Sequence, residues 1–214
     1  MIRRLDLPDG PGTADREGRI HAASAARNLG PLLDVLLPRL PRRGRVLELA
    51  SGSGQHIAAL AAHRPDLSFV PTEPDPARRI AIDARCRGLP NVAQAADLDA
   101  CRSGWGAIAR PVEAVIVSNL LHLISDAEMA VLLDEALRAL ASGGLFACYG
   151  PFLRDGAATS DGDRAFDACL RAQDPEIGLK DAETIETVLA VTGLRADRVE
   201  MPANNLTILG RMPG

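Results

Sequence analysis

Strands alternating with helices along one 214-residue chain predict an α/β protein, built on a seven-stranded, mostly parallel sheet with helices on both faces. Three observations carry that expectation. The apolar run Val46, Leu47 and Leu49 ends in a small-residue turn, and an Ala-rich helical pattern starts at Gln55; strand, glycine turn and helix together open a nucleotide-binding, Rossmann-like domain. Further apolar runs at Leu67–Thr72, Asn91–Ala96, Val112–Ser118 and Leu145–Tyr149 are separated by helical patterns. The last two runs, Leu194–Met201 and Leu206–Leu209, are joined by a loop too short for a crossover, so the final strand should be antiparallel.

The elements follow in order. Residues 1–20, with Pro8, Gly10, Pro11, Gly12 and Gly18, read as a flexible N-terminal arm or lid ahead of a single domain over residues 21–214. His21 to Leu37 has helical spacing, and Gly30-Pro31 is expected to break or kink it. Gln55 to His63 reads as a helix stopped near Pro65, and Pro74 and Pro76 open the next, which runs to Gly88. Ser125-Asp126-Ala127-Glu128 matches a capping box, so Met129 to Leu140 is expected to be an amphipathic helix, ended by Ser142-Gly143-Gly144. Pro151 to Asp161 reads as a loop, and Asp163–Ala172 and Asp181–Thr192 as helices.

Composition excludes several function classes. Nearly half the residues are apolar and the net charge is −4, with arginines scattered, so nucleic acid is not an expected partner. Cys86, Cys101, Cys148 and Cys169 are widely spaced, which disfavours a metal site or a disulfide framework. No apolar run reaches membrane-spanning length and no signal core is present, so a cytoplasmic protein without a membrane partner is expected. The sequence leaves monomer or homodimer open.

Within the turn, Gly52 and Gly54 allow a sharp bend and close approach to a ligand, and the following helix offers unpaired N–H groups. Glu48 is the unusual residue. A carboxylate at the end of a buried strand repels phosphate but suits a cation, and S-adenosylmethionine (SAM) carries a sulfonium and an ammonium and no phosphate. Ile57 stands where a dinucleotide fingerprint needs Gly or Ala, Gln55 follows Gly54 where a P-loop needs Lys, and Ser51 is misplaced for a nucleophile elbow. The small-molecule methyltransferase pattern, acid-x-Gly-x-Gly-x-Gly, fits at Glu48, Gly52 and Gly54 and departs at Ala50.

Ligands of doubly wound sheets sit beyond the carboxyl ends of the strands. Glu73, about twenty residues past the turn, is placed to hold ribose hydroxyls, with Asp75 the near alternative. Asp99, or Asp97, can accept from an adenine amino group or serve a turn. Asn119 offers an amide to the methionine portion or the substrate, and His122 is either a general base or a packing residue. The Tyr149 hydroxyl can orient an acceptor, with Phe152 walling the pocket. Asn204 and Asn205 either bind substrate or make a turn, and His56 either touches the cofactor or lies on the surface. No His/Cys spacing suggests a metal.

These strings together resemble the family known as domain of unknown function 938, class I SAM-dependent methyltransferases that include the animal methyltransferase-like 26 proteins. The matching stretches are Ala26-Arg27-Asn28 before Pro31-Leu32-Leu33, and Val46 through His56; Asn91-Val92, Leu98-Asp99 and Trp105; Asn119-Leu120-Leu121-His122, Tyr149-Gly150-Pro151-Phe152, Phe166-Asp167 and Met201-Pro202-Ala203-Asn204-Asn205. They cover nearly the whole chain from about residue 20, and the family pattern accounts for Ala50. The resemblance implies the class I methyltransferase fold and SAM as cofactor. Two stretches depart from it: Ile177 to Lys180, where Trp and then Gly-Ile-Arg-Asp is usual, and Thr72-Glu73, where Ser-Asp is usual.

The resulting expectation is methyl transfer from SAM to a small-molecule acceptor. Glu48, Ala50, Ser51, Gly52, Gly54, His56, Glu73, Asp99 and Asn119 are assigned to the cofactor, and Asn204, Asn205, Phe152, Tyr149 and His122 to the acceptor. Arg27 and Asn28 are also assigned to the cofactor and help shape the acceptor side, where Arg27 can pair with a carboxylate on cofactor or substrate. The alternatives are a SAM-binding protein without transferase activity and a nicotinamide-dependent oxidoreductase.

Overall fold

In the computed structural model, which describes residues 3, 5–7, 10 and 12–214, the chain winds a seven-stranded sheet. The remaining positions, among them Pro8 and Pro11 of the expected arm, lie outside the described residues. The helices are α1 (Ala23–Leu36), α2 (Gln55–His63), α3 (Pro76–Cys86), α4 (Trp105–Ala109), α5 (Asp126–Ala139), α6 (Asp161–Gln173) and α7 (Ala182–Val191). The strands are β1 (Gly44–Leu49), β2 (Leu67–Pro71), β3 (Val112–Ser118), β4 (Leu140–Leu153), β5 (Lys180–Asp181), β6 (Arg195–Glu200) and β7 (Asn205–Arg211).

The sheet order is β2-β1-β3-β4-β7-β6, with β5 pairing on β4. β1 pairs in parallel with both β2 and β3, and β7 runs antiparallel to β4 and β6. The chain leaves β1 toward β2 and returns on its other side as β3, so the winding direction reverses at β1 and opens a crevice beyond its carboxyl end.

Strand alternation divides the core into two layers. Val46, Phe69, Ile116, Ala147 and Tyr149 pack toward α1, α2 and α3. Leu47, Val115, Val117, Phe146 and Cys148 pack toward α5 and α7. Phe69 and Phe146, both fully buried, anchor the two layers, each side chain contributing about 1.5–3 kcal/mol by leaving water.

Several elements differ from the sequence expectation. Asn91–Ala96 is not a continuous strand; it runs beside β2 with isolated bridges, Val92 to Phe69 and Ala96 to Thr72, and with scattered backbone bonds such as Ala93 N–H to the Phe69 carbonyl and Ala96 N–H to the Pro71 carbonyl. The Asn91 amide donates to the carbonyls of Ala61, Arg64 and Leu67, which ties the start of the segment down by its side chain as well. The seventh strand is β5, whose Asp181 was expected to begin a helix; its side chain caps α7 by accepting from Glu183 N–H. α1 runs unbroken through Pro31, held by the buried Leu32, Val35 and Leu36. Gly143-Gly144 does not end a helix before a new strand: β4 already starts at Leu140, and its pairing with β3 skips from Leu140 opposite Val112 to Leu145 opposite Ala114, an irregular excursion within one long strand. The capping box at Ser125 and Glu128 is formed as expected.

Candidate functional site

A cavity of about 390 Å³ opens beyond the carboxyl ends of β1 and β3, the crevice the winding creates. Its floor is the end of β1, Glu48 and Leu49, and the turn that follows, Ala50, Ser51, Gly52 and Ser53. One wall is α1 with Ser24, Ala25, Arg27 and Asn28, together with His56 of α2. The other gathers Ser118 at the end of β3, Asn119, His122 and Leu123 after it, Pro151 of β4, Phe166 of α6, Ala203 before β7 and Asn205 at its start. Leu7, Gly10 and Ile20 of the N-terminal segment, and Arg78 of α3, complete it.

The turn is fixed by backbone bonds to the end of β2. Ser51 N–H donates to the Thr72 carbonyl at 2.8 Å, and Thr72 N–H donates to the Glu48 carbonyl at 3.0 Å. Gly52 N–H donates to Glu73 Oε2 at 3.0 Å, and Asp75 N–H to Oε1 at 3.2 Å. Gly54, at φ +71°, serves packing: a Cβ there would lie 3.2 Å from the Ile82 Cα, so glycine lets α2 and α3 approach. Ala50 at φ +49° and Asn119 at φ +55° are left-handed without being glycine.

Glu48 is 2 % exposed, and its Oε2 has no hydrogen-bond partner. Burial, reinforced by the nearby Glu73 carboxylate, pushes its carboxyl up to about 8. Glu73 is also raised, chiefly by burial, although the Asp75 N–H and the Arg78 guanidinium oppose this. The turn thus concentrates two acids that a bound cation would relieve.

His122 lies in a one-turn 3₁₀ helix (Leu121–Leu123) and is 6 % exposed. Its ring meets Phe166 edge-on, with centroids 5.4 Å apart and planes at 65°. Its carbonyl accepts from Gly178 N–H at 3.1 Å. Burial, with the positive Lys180 nearby, pushes the imidazole down to about 4, so it is neutral at physiological pH. His56 Nε2 lies 3.3 Å from the Ala25 carbonyl, and burial lowers its pKa as well.

The cavity therefore brings together Arg27, Asn28, Glu48, Ala50, Ser51, Gly52, His56, Asn119, His122 and Asn205 of the expected site. Glu73 adjoins it through Gly52. Others fall elsewhere. Tyr149 is 4 % exposed in the core layer below α1 and α2, because alternation turns it away from the opening. Phe152 is 2 % exposed in the opposite layer, and its neighbour Pro151 lines the cavity instead. Asn204 is exposed and gives its carbonyl to Arg154 Nη2 at 3.2 Å. The Asn205 side-chain nitrogen donates to the Pro202 carbonyl at 3.0 Å, so this residue makes a turn and lines the cavity at once. The Asp99 carboxylate takes the Cys101 N–H at 3.0 Å, a turn role, and stands outside the cavity lining.

Sequence reasoning missed Arg78, Leu7, Ser118 and Leu123. For Arg78 a signal existed: it lies in the first turn of the helix that follows Glu73, facing the glycine turn. Among the described residues, no group of three or more His, Cys, Asp or Glu side chains is arranged to hold a metal ion, and no helix is long and apolar enough to cross a membrane.

A family model described as "Protein of unknown function (DUF938)" matches residues 19–211. An O-methyltransferase family protein from Burkholderia thailandensis superposes with a TM-score of 0.75 at 16% identity, covering 89% of this chain and 58% of its own. Human N-acetylserotonin methyltransferase, in complex with SAM, gives 0.67 at 15% identity, with 89% and 52% covered. An O-methyltransferase family 2 protein from Planctomyces limnophilus, in complex with apigenin, gives 0.70 at 18% identity, with 88% and 59% covered. The fold is that of the Rossmann-like methyltransferases, and the chain spans little more than half the length of the solved proteins it matches.

Proposed function

The chain belongs to the family described as protein of unknown function DUF938, and from that premise we propose that it is a SAM-dependent methyltransferase acting on a small-molecule acceptor. One observation carries the reading: a buried carboxyl, Glu48, with an unpartnered oxygen at the floor of a cavity, beside a glycine turn and the start of a helix. A phosphate-bearing cofactor would meet repulsion there. A ligand with fixed positive charge would satisfy the orphaned oxygen and draw the carboxyl into its ionised form.

The residues fit SAM. Glu48 would face its positive charge, the turn at Ala50, Ser51 and Gly52 its backbone-facing side, and Glu73 the ribose hydroxyls. Arg27 and Asn28 would meet its carboxylate end. SAM supplies a methyl group already activated by the sulfonium, so the protein's task is alignment and exclusion of water. His122 and Phe166 form an aromatic corner for the acceptor, with Asn119 and Asn205 as polar contacts. With its pKa near 4, the His122 imidazole is a neutral hydrogen-bonding group and a weak base, so it orients the acceptor more readily than it deprotonates it. An acceptor for this site is nucleophilic without a strong base. The small cavity and the apigenin-bound neighbour support a small acceptor.

The test is a thermal-shift comparison with SAM, S-adenosylhomocysteine and NAD. Ligand at about a hundred times its dissociation constant adds roughly 2.7 kcal/mol, a rise of about 5 °C or more for a chain this size. Shifts with both adenosyl ligands and none with NAD are expected, followed by methyl transfer from labelled SAM in an acceptor screen. A shift with NAD alone would overturn the reading, and tight SAM binding without turnover on any acceptor would leave a binding protein.

A further inference from the structure

The N-terminal segment carries a feature that the cofactor reading leaves unused. Part of it is a small hairpin closed by a bridge between Ala14 and Ile20. The Asp15 carboxylate holds its turn, accepting from the N–H groups of Glu17 and Arg19 at 2.9 Å each. The end next to α1 is bolted to the glycine turn. Arg85 donates to the Ile20 carbonyl at 2.6 Å and the Ser53 carbonyl at 2.8 Å, and Ala22 N–H donates to Gln55 Oε1 at 2.7 Å. The opposite end lies on α6. Asp6 N–H donates to Gln173 Oε1 at 2.7 Å, and Gln173 Nε2 returns a bond to the Asp6 carbonyl at 3.0 Å. Arg3 Nε donates to Asp174 Oδ2 at 2.8 Å, and Arg3 Nη1 to Glu128 Oε2 at 2.5 Å. Between the two ends, Leu7, Gly10 and Ile20 line the cavity.

The carboxylates that Arg3 engages belong to the two stretches that frame His122. Glu128 Oε2 also accepts from Ser125 N–H at 2.8 Å, in the capping box just after the His122 turn. Asp174 caps the carboxyl end of α6, the helix that presents Phe166 to the His122 ring. The Asp174 carbonyl takes the Ile177 N–H, and the next residue, Gly178, donates to the His122 carbonyl. The Arg3, Glu128 and Asp174 side chains are 20%, 25% and 27% exposed, so solvent screens these pairs less than fully exposed ones.

We propose that the described residues of the N-terminal segment, 3, 5–7, 10 and 12–22, form a strap that completes the acceptor end of the cavity, with Leu7 as a specificity-determining wall and Arg3 as the positioning residue that locks the strap to both stretches framing His122. This rests on the methyltransferase reading for the word acceptor. The anchor at the glycine turn joins the Arg85 guanidinium to two backbone carbonyls and the Ala22 N–H to the Gln55 amide, whereas the anchor at α6 adds the Arg3 ion pairs to the Asp6–Gln173 bonds, so the α6 anchor is the one that salt weakens.

The experiment compares the full chain with Arg3→Ala and Arg3→Lys, by amide hydrogen exchange without ligand and by the dissociation rate of S-adenosylhomocysteine. Arg3→Ala is expected to speed exchange at residues 5–7 and also at residues 121–124 and 177–179, and to release the probe about tenfold faster. Arg3→Lys should recover part of both effects. Raising salt from about 50 to about 500 mM should speed release from the wild type and leave Arg3→Ala unchanged. Asp174→Asn should reproduce the alanine result from the other partner. Unchanged exchange around His122 together with unchanged release overturns the proposal. If the wild type binds no probe, the methyltransferase reading falls, and exchange alone decides whether Arg3 holds the strap to the His122 segment.

Discussion

The two ends of the cavity are built in opposite ways. The floor around Glu48 comes from one contiguous run and the end of the adjacent strand, locked by backbone bonds between Ser51, Thr72 and Glu48. The end around His122 is assembled from stretches far apart in sequence: the strap, the turn after β3, α6, the Gly178 loop and the approach to β7. The first end is a local structure placed by the fold. The second exists only once the fold is complete, so it should be the more easily altered by mutation, and the place where acceptor preference diverges.

Glu48→Gln bears on that contrast most heavily. SAM affinity should fall about 100-fold, because the cationic ligand loses its buried partner, and S-adenosylhomocysteine, lacking the sulfonium, should lose less. Titration calorimetry reads both, and equal losses would sink the assignment. The ligand-free protein should meanwhile gain stability. The folded Glu48 holds its proton up to about 8, while the unfolded carboxyl releases it near 4.5, so stability falls as pH rises between those values. Each unit of that gap is about 1.4 kcal/mol, so the glutamine should remove a slope worth a few kcal/mol in denaturant titrations at pH 5 and pH 8.

His122 has the opposite sign. Its folded pKa near 4 lies below the ordinary 6.5, so the unfolded state takes up a proton first, and stability falls as pH drops from about 6.5 toward 4. His122→Gln should flatten that acid limb by about 2 kcal/mol at pH 4.5, with little change at pH 7.5. An unchanged limb would mean that the imidazole titrates normally.

A pair of glycines separates the two ends by their resistance to change. At Gly178 (φ +143°) a Cβ would lie 2.6 Å from Asp167 Oδ1, whose partner is the Leu179 N–H, so Gly178→Ala should cost about 2 kcal/mol of stability. At Gly52 the nearest atoms would be 3.8 Å away, so Gly52→Ala should cost about 1 kcal/mol and show itself in cofactor affinity. Thermal melts with and without S-adenosylhomocysteine read both. The smallest effect belongs to Tyr149→Phe, which should leave binding of that ligand unchanged, since Tyr149 packs in the core below α1; a tenfold loss would return it to the site.

The same contrast explains what the sequence discloses. The run from Glu48 to His56 is legible because its chemistry and its spacing lie on one stretch, and Glu73 because it keeps a fixed offset from the glycine turn. Tyr149 and Phe152 misled because residues at a strand end face alternate layers, and composition does not say which side opens. Asn91–Ala96 has the pattern of a strand and lies where one was expected, but its pairing breaks up into isolated bridges, with the Asn91 amide bound to three carbonyls at its start. Phe166 is legible only through family resemblance, since its meeting with His122 depends on how α6 packs. Nothing local in Arg3 or Lys180 marks an ion partner more than a hundred or some fifty positions away.

Ala50, Asn119, Ala203 and Asn204, all left-handed without being glycine, cluster at this sheet edge, and each such conformation disfavours the local chain by about 1 kcal/mol or more. A free loop of these residues would seldom adopt these angles. The folded protein has already met that entropic and torsional cost before a ligand arrives, so the cavity enters the binding equilibrium preorganised. Its affinity is then limited by contacts and desolvation more than by the ordering of its own walls.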